Sequence, residues 1–312
     1  MMKTKLIVVA GPTAGGKTGL GIEIAKAIDG EIISADSMQV YKDMSIATAA
    51  PTIEEKAQAP HHLAEFLERD KNFSVSDFCA LAENAVKDIT GRGKVPIIVG
   101  GTGLFIDSFV DNIKFIQTDT DFELRDRLMK RDIDELYDEL LSIDPKAAEK
   151  IHKNNKTRVA RALEIYYASG KTKSSQDDES RREGSPYEVL YFVVGYKNRE
   201  TLYGRINRRV DIMLQKGLVE EAQSCLAGGG KTSAQAIGHK ELKPYFDGEI
   251  SLEEAAENLK RETRRYAKRQ LTWFRKRENA VWLYADEEDI AAAAVNKSRE
   301  FLSNGKEESK IK

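Results

Sequence analysis

Short apolar runs along the chain predict the strands of a sheet. Four of them are rich in Ile and Val and are bounded by Gly, Pro or Asp, namely residues 6–10, 31–35, 95–99 and 189–194. Residues 280–284 form a weaker fifth candidate, and helical stretches such as 18–28 and 76–90 separate the first three runs. Strands that alternate with helices are typical of an α/β fold, here a P-loop-type parallel sheet core flanked by helices.

Residues 119–170 differ from the rest, because they are dense in charge and contain no convincing strand. Their pattern predicts four helices, at residues 122–131, 133–143, 145–152 and 157–169. Pro145 suits a helix start, where its missing N–H costs nothing. We therefore predict an all-helical insertion domain at 116–186 within a catalytic core of 1–115 and 187–312. Residues 171–186 are polar and strand-free, which favours a mobile return loop.

The composition is typical of a soluble globular protein, with 41% hydrophobic and 32% charged residues among 312. The net charge is only −2, so a surface for nucleic acid has to come from local segregation of charge. Two distant cysteines, Cys79 and Cys225, are expected to be reduced packing residues of a cytoplasmic protein. No signal peptide and no membrane-spanning run is visible, so we expect neither secretion nor a membrane partner.

The first strand candidate runs into a phosphate-binding loop. Residues 11–18 read GPTAGGKT, which matches G-x-x-x-x-G-K-[ST] between a strand and a helix. Backbone N–H groups and the N-terminus of the following helix surround an anion in such a loop. Lys17 supplies a positive charge for phosphate oxygens, and the Thr18 hydroxyl can bind Mg²⁺. The predicted phosphate-binding residues are Gly11, Pro12, Thr13, Ala14, Gly15, Gly16, Lys17 and Thr18.

The loop alone indicates phosphate binding and not ATP hydrolysis. A P-loop NTPase usually carries a carboxylate at another strand end to help hold Mg²⁺. The third run ends in Gly100-Gly101-Thr102-Gly103 without an acid, and the strand-end acid nearest to the loop in sequence is Asp36. A motor or switch NTPase is therefore disfavoured, and a small transferase is favoured.

Asp36 and the turn at residues 100–103 follow strands, where ligands of open α/β sheets bind. Asp36 can accept a proton from a nucleophile or bind Mg²⁺ through water, but it can equally be the N-cap of a following helix. Thr102 offers a hydroxyl to a ligand, although the glycines can also mean a plain strand-to-helix turn. For the pair His61-His62 a structural role is favoured over a metal site, because no third ligand is evident.

Positive charge is concentrated near the C-terminal end. Residues 260–277 carry nine Lys or Arg and one Glu, a local charge of +8. On a helix, Arg261, Arg265 and Arg269 share one face, and Lys260, Arg264 and Lys268 share another. We expect these cations to contact an RNA backbone while the aromatic residues Tyr266, Trp273 and Phe274 pack inward.

Two further segments are basic. One predicted helix carries Arg205, Arg208 and Arg209, and residues 157–161 form a third basic segment. Each charged run could also be an ordinary solvated face, but segregated clusters in a nearly neutral chain favour an RNA surface.

These residues together resemble the tRNA dimethylallyltransferases, or isopentenyl-tRNA transferases, over nearly the whole chain. The resemblance rests on the motifs GPTAGGKT at Gly11, DSMQVY at Asp36, PHHL at Pro60, FSVSDF at Phe73, VPIIVGGTGLF at Val95, RVARALE at Arg158, GLVEEA at Gly217, AIGHKE at Ala236 and RRYAKRQLTWFR at Arg264. Several of these motifs are not general features of P-loop proteins, so their joint occurrence is specific.

The resemblance implies transfer of a dimethylallyl group from dimethylallyl diphosphate to N6 of the adenosine just 3′ of the anticodon, with Mg²⁺. The phosphate loop would hold the donor's diphosphate, with Lys17 on the leaving group and Thr18 on the metal. Asp36 would be the general base, and Thr102 would hydrogen-bond in the same site. The target base would have to leave its stack. Contacts to tRNA would come from Asp36, Ser37, Met38, Gln39, Thr102, Arg125, Thr157, Arg158 and Arg161.

The chain departs from the family pattern at five positions. The family usually has Gly, Lys, Tyr, Pro and Tyr where this chain has Ala47, Ala50, Phe105, Lys153 and His239. None of these changes removes a residue of the implied chemistry. Ala47 and Ala50 lie close to Asp36 in sequence, so they bear on efficiency or substrate preference.

Three other functions compete with this interpretation. A prenyltransferase acting on free AMP or ATP would share the phosphate loop and the acid, although the helical insertion and the basic helix favour an RNA acceptor. A small-molecule P-loop kinase would share only the loop. A non-catalytic RNA-binding module is disfavoured by the intact Gly16-Lys17-Thr18 and Asp36. We expect a monomer.

Overall fold

The computed structural model describes residues 3–113, 115, 122–228, 230, 232–287 and 289–304. It divides the chain into two compact units, one formed by residues 1–109 with 187–312 and the other by residues 110–186. The predicted helical insertion at 116–186 falls in the second of these ranges.

The first unit is built on a parallel sheet with the strand order β3-β2-β4-β1-β5-β6. The strands are β1 (Thr4–Ala10), β2 (Gly30–Ala35), β3 (His61–His62), β4 (Val95–Gly100), β5 (Tyr187–Gly195) and β6 (Val281–Tyr284). The α/β fold class and the five predicted strands are confirmed. The pattern does not predict β3, because two residues are too few for a periodic signal.

The helices follow in chain order as α1 (Lys17–Ile28), α2 (Ser45–Thr48), α3 (Ile53–Gln58), α4 (Val75–Gly91), α5 (Gly103–Val110), α6 (Phe122–Lys130), α7 (Ile133–Ile143), α8 (Pro145–Lys150), α9 (Lys156–Ser169), α10 (Lys173–Glu183), α11 (Arg199–Gln215), α12 (Leu218–Gly228), α13 (Lys243–Phe246), α14 (Leu252–Phe274) and α15 (Ile290–Ser303). A short 3₁₀ turn spans Ser233–Gln235. None of the described helices combines the length and the apolar character needed to cross a bilayer.

Successive buried residues show that helices cover both faces of the sheet. Residues 6–10 of β1 are completely buried, which alternating strands with one wet face do not show. Leu20 and Ile24 of α1 pack onto this core, and Ala294 of α15 joins the same cluster. Burial of each large aliphatic side chain stabilises the fold by about 1.5–3 kcal/mol.

The register of the central strands aligns their carboxyl ends. Ala10 of β1 lies opposite Gly100 of β4, and Gly100 also lies opposite Ala35 of β2. The loops that follow these three residues are the phosphate loop, the Asp36 turn and the glycine turn. Parallel pairing therefore brings three separate sequence motifs to one edge of the sheet.

The described residues of the second unit contain helices and no strand, and the four helices predicted there are confirmed as α6 to α9. Its core contains Leu136 and Leu140 of α7 with Val159 and Leu163 of α9. Pro145 occupies the first turn of α8, and the Asp144 carboxylate accepts a hydrogen bond from the Ala147 amide there. The unit therefore has a hydrophobic core of its own.

The predicted return loop at 171–186 is wrong, because its central part is helix α10. Thr172 caps this helix by accepting a hydrogen bond from the Ser175 amide, and the ion pair of Lys173 with Asp177 spans one turn. Ser174 also donates its amide to Asp144 of the neighbouring helix start. A segment with almost no apolar residues gives no helical periodicity, so capping and i,i+4 charge pairs are the signals that identify it.

Helix α14 begins before the basic run at 260–277. Ser251 and Glu254 form a capping box at its N-terminus. Glu253 and Glu254 lie in its first turn, where negative charge complements the helix dipole.

Candidate functional site

The phosphate loop has the backbone conformation that its glycines allow. Gly11 approaches β5 so closely that an added Cβ would lie 2.7 Å from the Val194 carbonyl oxygen. Gly16 caps α1 with φ 92°, a left-handed conformation that favours glycine. The first turn of α1 contains no acid, so nothing there opposes the positive end of the helix dipole. The loop is therefore shaped to accept an anion.

Two side chains, one directly after β5 and one on α11, contact the phosphate loop. Arg205 donates from Nε to the Ala14 carbonyl oxygen at 2.9 Å, and the Tyr196 hydroxyl donates to the Gly15 carbonyl oxygen at 3.3 Å. The guanidinium of Arg205 also lies over the Tyr196 ring, 5.8 Å from its centre. These contacts satisfy two loop carbonyl groups and fix the loop backbone.

Lys17 and Arg209 bring two half-buried positive charges to the same place. The Lys17 ammonium donates to the Pro12 carbonyl oxygen at 2.7 Å. Burial and the nearby charge of Arg209 lower the pKa of Lys17 to about 8, and the charge of Asp36 opposes that shift. Burial likewise lowers the pKa of Arg209. Two cations that are partly deprived of water favour an anionic ligand between them.

Arg205 and Arg209 therefore have a different role from the one their sequence pattern suggests. The basic character of α11 predicts an RNA surface, but these two guanidinium groups face the phosphate loop and its cavities. The number of charges along a helix does not tell in which direction each side chain points. The packing of α11 against the rest of the unit decides which of its arginines face the phosphate loop.

Asp36 lies at the end of β2 and organises the turn that follows. Its Oδ1 accepts hydrogen bonds from the amides of Met38 at 2.9 Å and of Gln39 at 3.4 Å. No helix starts at this turn, so the predicted alternative of an N-cap is wrong, and the carboxylate caps a turn instead. Asp36 lines a cavity that Lys17 and Thr18 also line.

Thr102 connects the glycine turn with the Asp36 turn. Its backbone amide donates to the Ala35 carbonyl oxygen at 3.2 Å, and its hydroxyl accepts from the Ser37 amide at 3.1 Å. The structure therefore brings the predicted catalytic residues Lys17, Asp36 and Thr102 together at one sheet edge.

The cavity at this edge has a polar end and an apolar wall. Its volume is about 320 Å³, and its polar end contains Lys17, Asp36 and Arg209. The apolar wall is formed by α11, α14 and the segment after the 3₁₀ turn, and it contains Ile206, Val210, Met213, Ile237 and Leu259. We call this space the inner cavity. It can take a ligand that is charged at one end and hydrocarbon at the other.

A second cavity lies on the other side of the phosphate loop. It has a volume of about 800 Å³ and is lined by residues 14–19, by residues 45–46 and 49–53, and by basic residues of α11, among them Arg205 and Arg208. Lys17, Thr18 and Arg209 line both spaces. The phosphate loop is thus accessible from two sides.

Helix α14 contributes two site residues that sequence reasoning did not assign. Gln270 is buried and bonds both to Thr13 and to Gly101. Tyr266, one turn earlier, lines the inner cavity. Burial and the charge of Asp36 raise the pKa of Tyr266, against hydrogen bonds with Thr102 and Gln270. Both residues lie within the basic segment 260–277, whose charge drew the interpretation toward RNA binding. Their i,i+4 spacing, which places them on one face of the helix, was the only sequence feature that could have linked them.

The expected packing of the α14 aromatic residues is partly wrong. Phe274 is completely buried, but Trp273 is 36% exposed and donates from Nε1 to Asp107 at 2.6 Å. Lys260 and Arg264 point to α11, where they bind Asp211 and Asn207. The exposed cations of the helix are Arg261, Arg265, Lys268 and Arg269.

The α2 segment, which contains the departures Ala47 and Ala50, is held by a buried carboxylate. Glu221 of α12 accepts from the amides of Ile46 at 2.8 Å and Ala47 at 2.9 Å, and it also binds Nε2 of His239 at 3.0 Å. From the other side, the side-chain Nε2 of Gln39 donates to the carbonyl oxygens of residues 48 and 49. The segment that lines the inner cavity beside Asp36 is therefore fixed at both ends.

The predicted tRNA-binding residues of the second unit form a group of their own. Arg125 of α6 and Arg161 of α9 both bind the buried Glu164, the first through two hydrogen bonds of 2.6 and 2.9 Å. Burial would raise the pKa of Glu164, but these two arginines bring it below its usual range. Thr157 and Arg158 are exposed in the first turn of α9.

The histidine pair packs against the edge of the sheet. His62 binds the buried Glu31 through Nε2 at 2.8 Å, and His61 Nδ1 lies 2.8 Å from the Ala59 carbonyl oxygen. Among the described residues, no cluster of three or more His, Cys, Asp or Glu side chains could hold a metal ion. The structural role favoured for the pair agrees with these contacts.

Two family models, taken together, and several relatives of known name match this chain over most of its length. The IPP transferase family model matches residues 39–277, and the isopentenyl transferase model matches residues 2–64. A tRNA dimethylallyltransferase from Acetivibrio thermocellus is 47% identical over 306 residues, which cover 96% of this chain and 97% of that protein.

Solved structures agree with the sequence comparisons. The tRNA isopentenylpyrophosphate transferase of Bacillus halodurans is 42% identical, with a TM-score of 0.71 and 99% of each chain covered. A eukaryotic dimethylallyltransferase acting on tRNA is 32% identical, with a TM-score of 0.83 over 96% of this chain and 80% of that one.

Proposed function

The chain belongs to the tRNA dimethylallyltransferase family, and on this premise we propose that it moves a dimethylallyl group from dimethylallyl diphosphate to N6 of the adenosine just 3′ of the anticodon. In this reaction the N6 nitrogen forms a bond with C1 of the allyl group. The C1–O bond breaks, diphosphate leaves, and one proton leaves the nitrogen. The observation that carries the proposal is the convergence of a phosphate loop, a carboxylate and an apolar wall in one cavity.

The donor fits the inner cavity by charge and by polarity. Lys17, Arg209 and the N-terminus of α1 offer positive charge to a diphosphate, which makes it a better leaving group. The five-carbon group is hydrocarbon, and the wall with Ile206, Val210 and Met213 is apolar. Because that wall adjoins Lys17, donor binding excludes water from the developing allyl cation.

The oxygen ligands needed for Mg²⁺ are present at the same place. The Thr18 hydroxyl and the Asp36 carboxylate line one cavity. In proteins Mg²⁺ is usually bound by one or two such groups together with substrate phosphates and water, so this small ligand set fits the ion. Thr18 would hold the ion through its hydroxyl group. Bound there, Mg²⁺ would neutralise negative charge on the leaving diphosphate.

The acceptor amine would meet Asp36 and Thr102. An exocyclic amine of adenine is a poor nucleophile, and a carboxylate that takes its proton helps the attack. Two backbone amides fix the Asp36 carboxylate, and Thr102 is tied to the same turn. We assign Asp36 as the general base and Thr102 as a hydrogen-bonding partner of the adenine.

Basic side chains on each unit would hold the RNA. On the first unit these are the exposed cations of α14, for example Arg261, Arg265 and Lys268, which suit phosphates. On the second unit they are Arg125, Arg158 and Arg161. Ser37, Met38 and Gln39 would contact the flipped nucleotide beside Asp36.

The test is transfer of label from dimethylallyl diphosphate with Mg²⁺, with an anticodon stem-loop RNA and AMP offered in parallel. Label in the RNA alone supports the proposal, and label in AMP alone replaces it with a nucleotide-modifying enzyme. A third arm contains ATP and no prenyl donor, and phosphoryl transfer there would indicate a kinase. The compared proteins are named for action on tRNA, and nothing among them favours either alternative.

A further inference from the structure

A single side chain of α14 touches two loops that are remote from each other in the sequence. Gln270 accepts a hydrogen bond at Oε1 from the Thr13 amide of the phosphate loop, at 2.8 Å. Its Nε2 donates to the carbonyl oxygen of Gly101, in the glycine turn, at 2.9 Å. The side chain is only 5% exposed, so the bond to Gly101 is buried and the bond to Thr13 is partly buried.

Only a carboxamide suits this position. One contact needs an acceptor and the other needs a donor, and Gln supplies both in one planar group of the right length. An apolar residue would remove the partner of the buried Gly101 carbonyl and of the partly buried Thr13 amide, whereas an ionised carboxylate would place an oxygen against the Gly101 carbonyl. Loss of either bond therefore changes the loops themselves.

The glycine turn is shaped around the same helix. A Cβ at Gly101 would lie 2.3 Å from Nε2 of Gln270, and a Cβ at Gly103 would lie 2.3 Å from the Trp273 ring. The two glycines thus allow α14 to pack directly on the turn that carries Thr102. The second bond of Gln270 depends on this close approach.

We propose that Gln270 is a positioning residue that fixes the distance between the phosphate loop and the Thr102 turn. The reacting carbon is attached to the donor diphosphate, and the acceptor amine lies beside Asp36 and Thr102, so this distance sets the approach of the two reacting atoms. The inference rests on the proposed function. Gln270 itself need not touch either substrate.

The experiment uses the full-length protein and three variants. Gln270→Leu removes both hydrogen bonds at similar volume. Gln270→Glu keeps the acceptor, and it regains the donor only when its carboxyl group is protonated, which burial favours by raising its pKa. Gln223→Glu changes an exposed glutamine of α12 and serves as the matched control.

The readouts are affinity for inorganic pyrophosphate, affinity for the stem-loop RNA, and prenyl-transfer kinetics between pH 6 and pH 8. We expect Gln270→Leu to weaken pyrophosphate binding about tenfold and to lower kcat, with RNA affinity unchanged. At pH 8, Gln270→Glu should show the same defect. Its pyrophosphate affinity and its kcat, each divided by the wild-type value at the same pH, should rise as the pH falls to 6. The ionisable residues Lys17, Asp36 and Tyr266 line the same cavity in both proteins, so the wild-type profile measured in parallel shows how much of the pH dependence comes from them.

Two results overturn the inference. The first is wild-type pyrophosphate affinity and turnover in the Gln270→Leu variant. Any defect of Gln270→Glu would then be due to repulsion by its negative charge. The other is parallel loss of pyrophosphate and RNA binding with a lowered melting temperature, which would mean general destabilisation. Should Gln270→Leu not fold, the acid recovery of Gln270→Glu decides alone. A wild type that binds pyrophosphate but transfers no label refutes the proposed function and leaves the pyrophosphate comparison valid.

Discussion

The backbone amide of Ser37 donates to the hydroxyl of Thr102 across 3.1 Å, and this bond joins the turn after β2 to the turn after β4. Asp36 precedes Ser37 directly, so the position of the carboxylate depends on a side chain from another strand. The Thr102 oxygen acts as an acceptor here, which leaves its proton free to point elsewhere.

Thr102→Val should separate the two turns. Valine has nearly the same shape as threonine but cannot accept the Ser37 hydrogen bond, and a hydrogen bond of this kind contributes about 0.5–1.5 kcal/mol. We expect kcat/KM for prenyl transfer to fall about tenfold. Thr102→Ser keeps the oxygen and should stay near the wild type. Equal activity of the valine and serine variants would contradict the role of this bond.

Asp36→Asn should remove the base while preserving the turn. Asparagine keeps an oxygen that accepts from the Met38 amide, but it cannot take up the amine proton. Positioned general bases contribute about 10²–10⁴-fold to rates, and we expect kcat to fall within that range at unchanged RNA affinity. Single-turnover kinetics with saturating donor measure the effect. Near-normal turnover of this variant would exclude Asp36 as the base.

The affinity for diphosphate should fall at alkaline pH because of Lys17. Its pKa is lowered to about 8, so the ammonium form decreases from about nine-tenths at pH 7 to about one-tenth at pH 9. Calorimetric titration with pyrophosphate should show weakening across this window. Lys17→Met should bind weakly at every pH, without that slope. A pH-independent affinity of the wild type would contradict the lowered pKa.

The lowered pKa of Lys17 should also make the stability of the fold depend on pH. Diphosphate affinity falls as the pH rises, whereas the free energy of unfolding rises. Between pH 8 and 10.5 the unfolded chain binds more protons at Lys17 than the folded chain does. The contribution of Lys17 to the free energy of unfolding therefore rises with pH in this window. Chemical unfolding of the wild type and Lys17→Met, compared at pH 8 and pH 10, isolates this contribution.

Glu221→Gln should loosen the wall beside Asp36. The carboxylate accepts from two backbone amides and from His239, and a carboxamide would turn an N–H₂ group toward one of these donors. We expect a loss of about 1–3 kcal/mol in the free energy of unfolding, together with lower kcat/KM because Ala47 lines the inner cavity. Glu220→Gln, at the exposed neighbouring position, is the control. Equal stability of both variants would show that the contacts of Glu221 are not important.

Glu31 should make the fold sensitive to acid. Hydrogen bonds from Arg92 lower the pKa of this buried carboxyl to about 2, against the effect of burial, and His62 adds to the shift. A depressed carboxyl pKa gives stability that is complete above the ordinary value of 4.5 and is lost as the pH falls toward 2. Glu31→Gln should be less stable by about 2 kcal/mol at pH 7 and show a flatter acid dependence. Urea unfolding between pH 7 and pH 3 measures both effects.

The apolar strand runs and the phosphate loop were predictable because their signals are local. Residues 6–10 are a continuous Ile- and Val-rich run, and GPTAGGKT needs only its own backbone to curl around an anion. Helix α10 was not predictable from periodicity, because a polar helix buries little and is held by caps and charge pairs. The roles of Gln270 and Arg205 were also hidden, since each depends on a contact with a residue more than a hundred positions away.

By itself, the sequence determined the main strands, the helices with an apolar face, the anion-binding loop and the acid that follows β2, since each depends on neighbouring residues. It also carried the motifs that place the chain in its family. Only the tertiary structure decided that Asp36 and Lys17 face one cavity, that Thr102 is bonded to the Asp36 turn, that Arg209 turns toward the phosphate loop, and that Gln270 joins two loops. Parallel pairing and helix packing set these distances, and neither is encoded in any one segment of the chain.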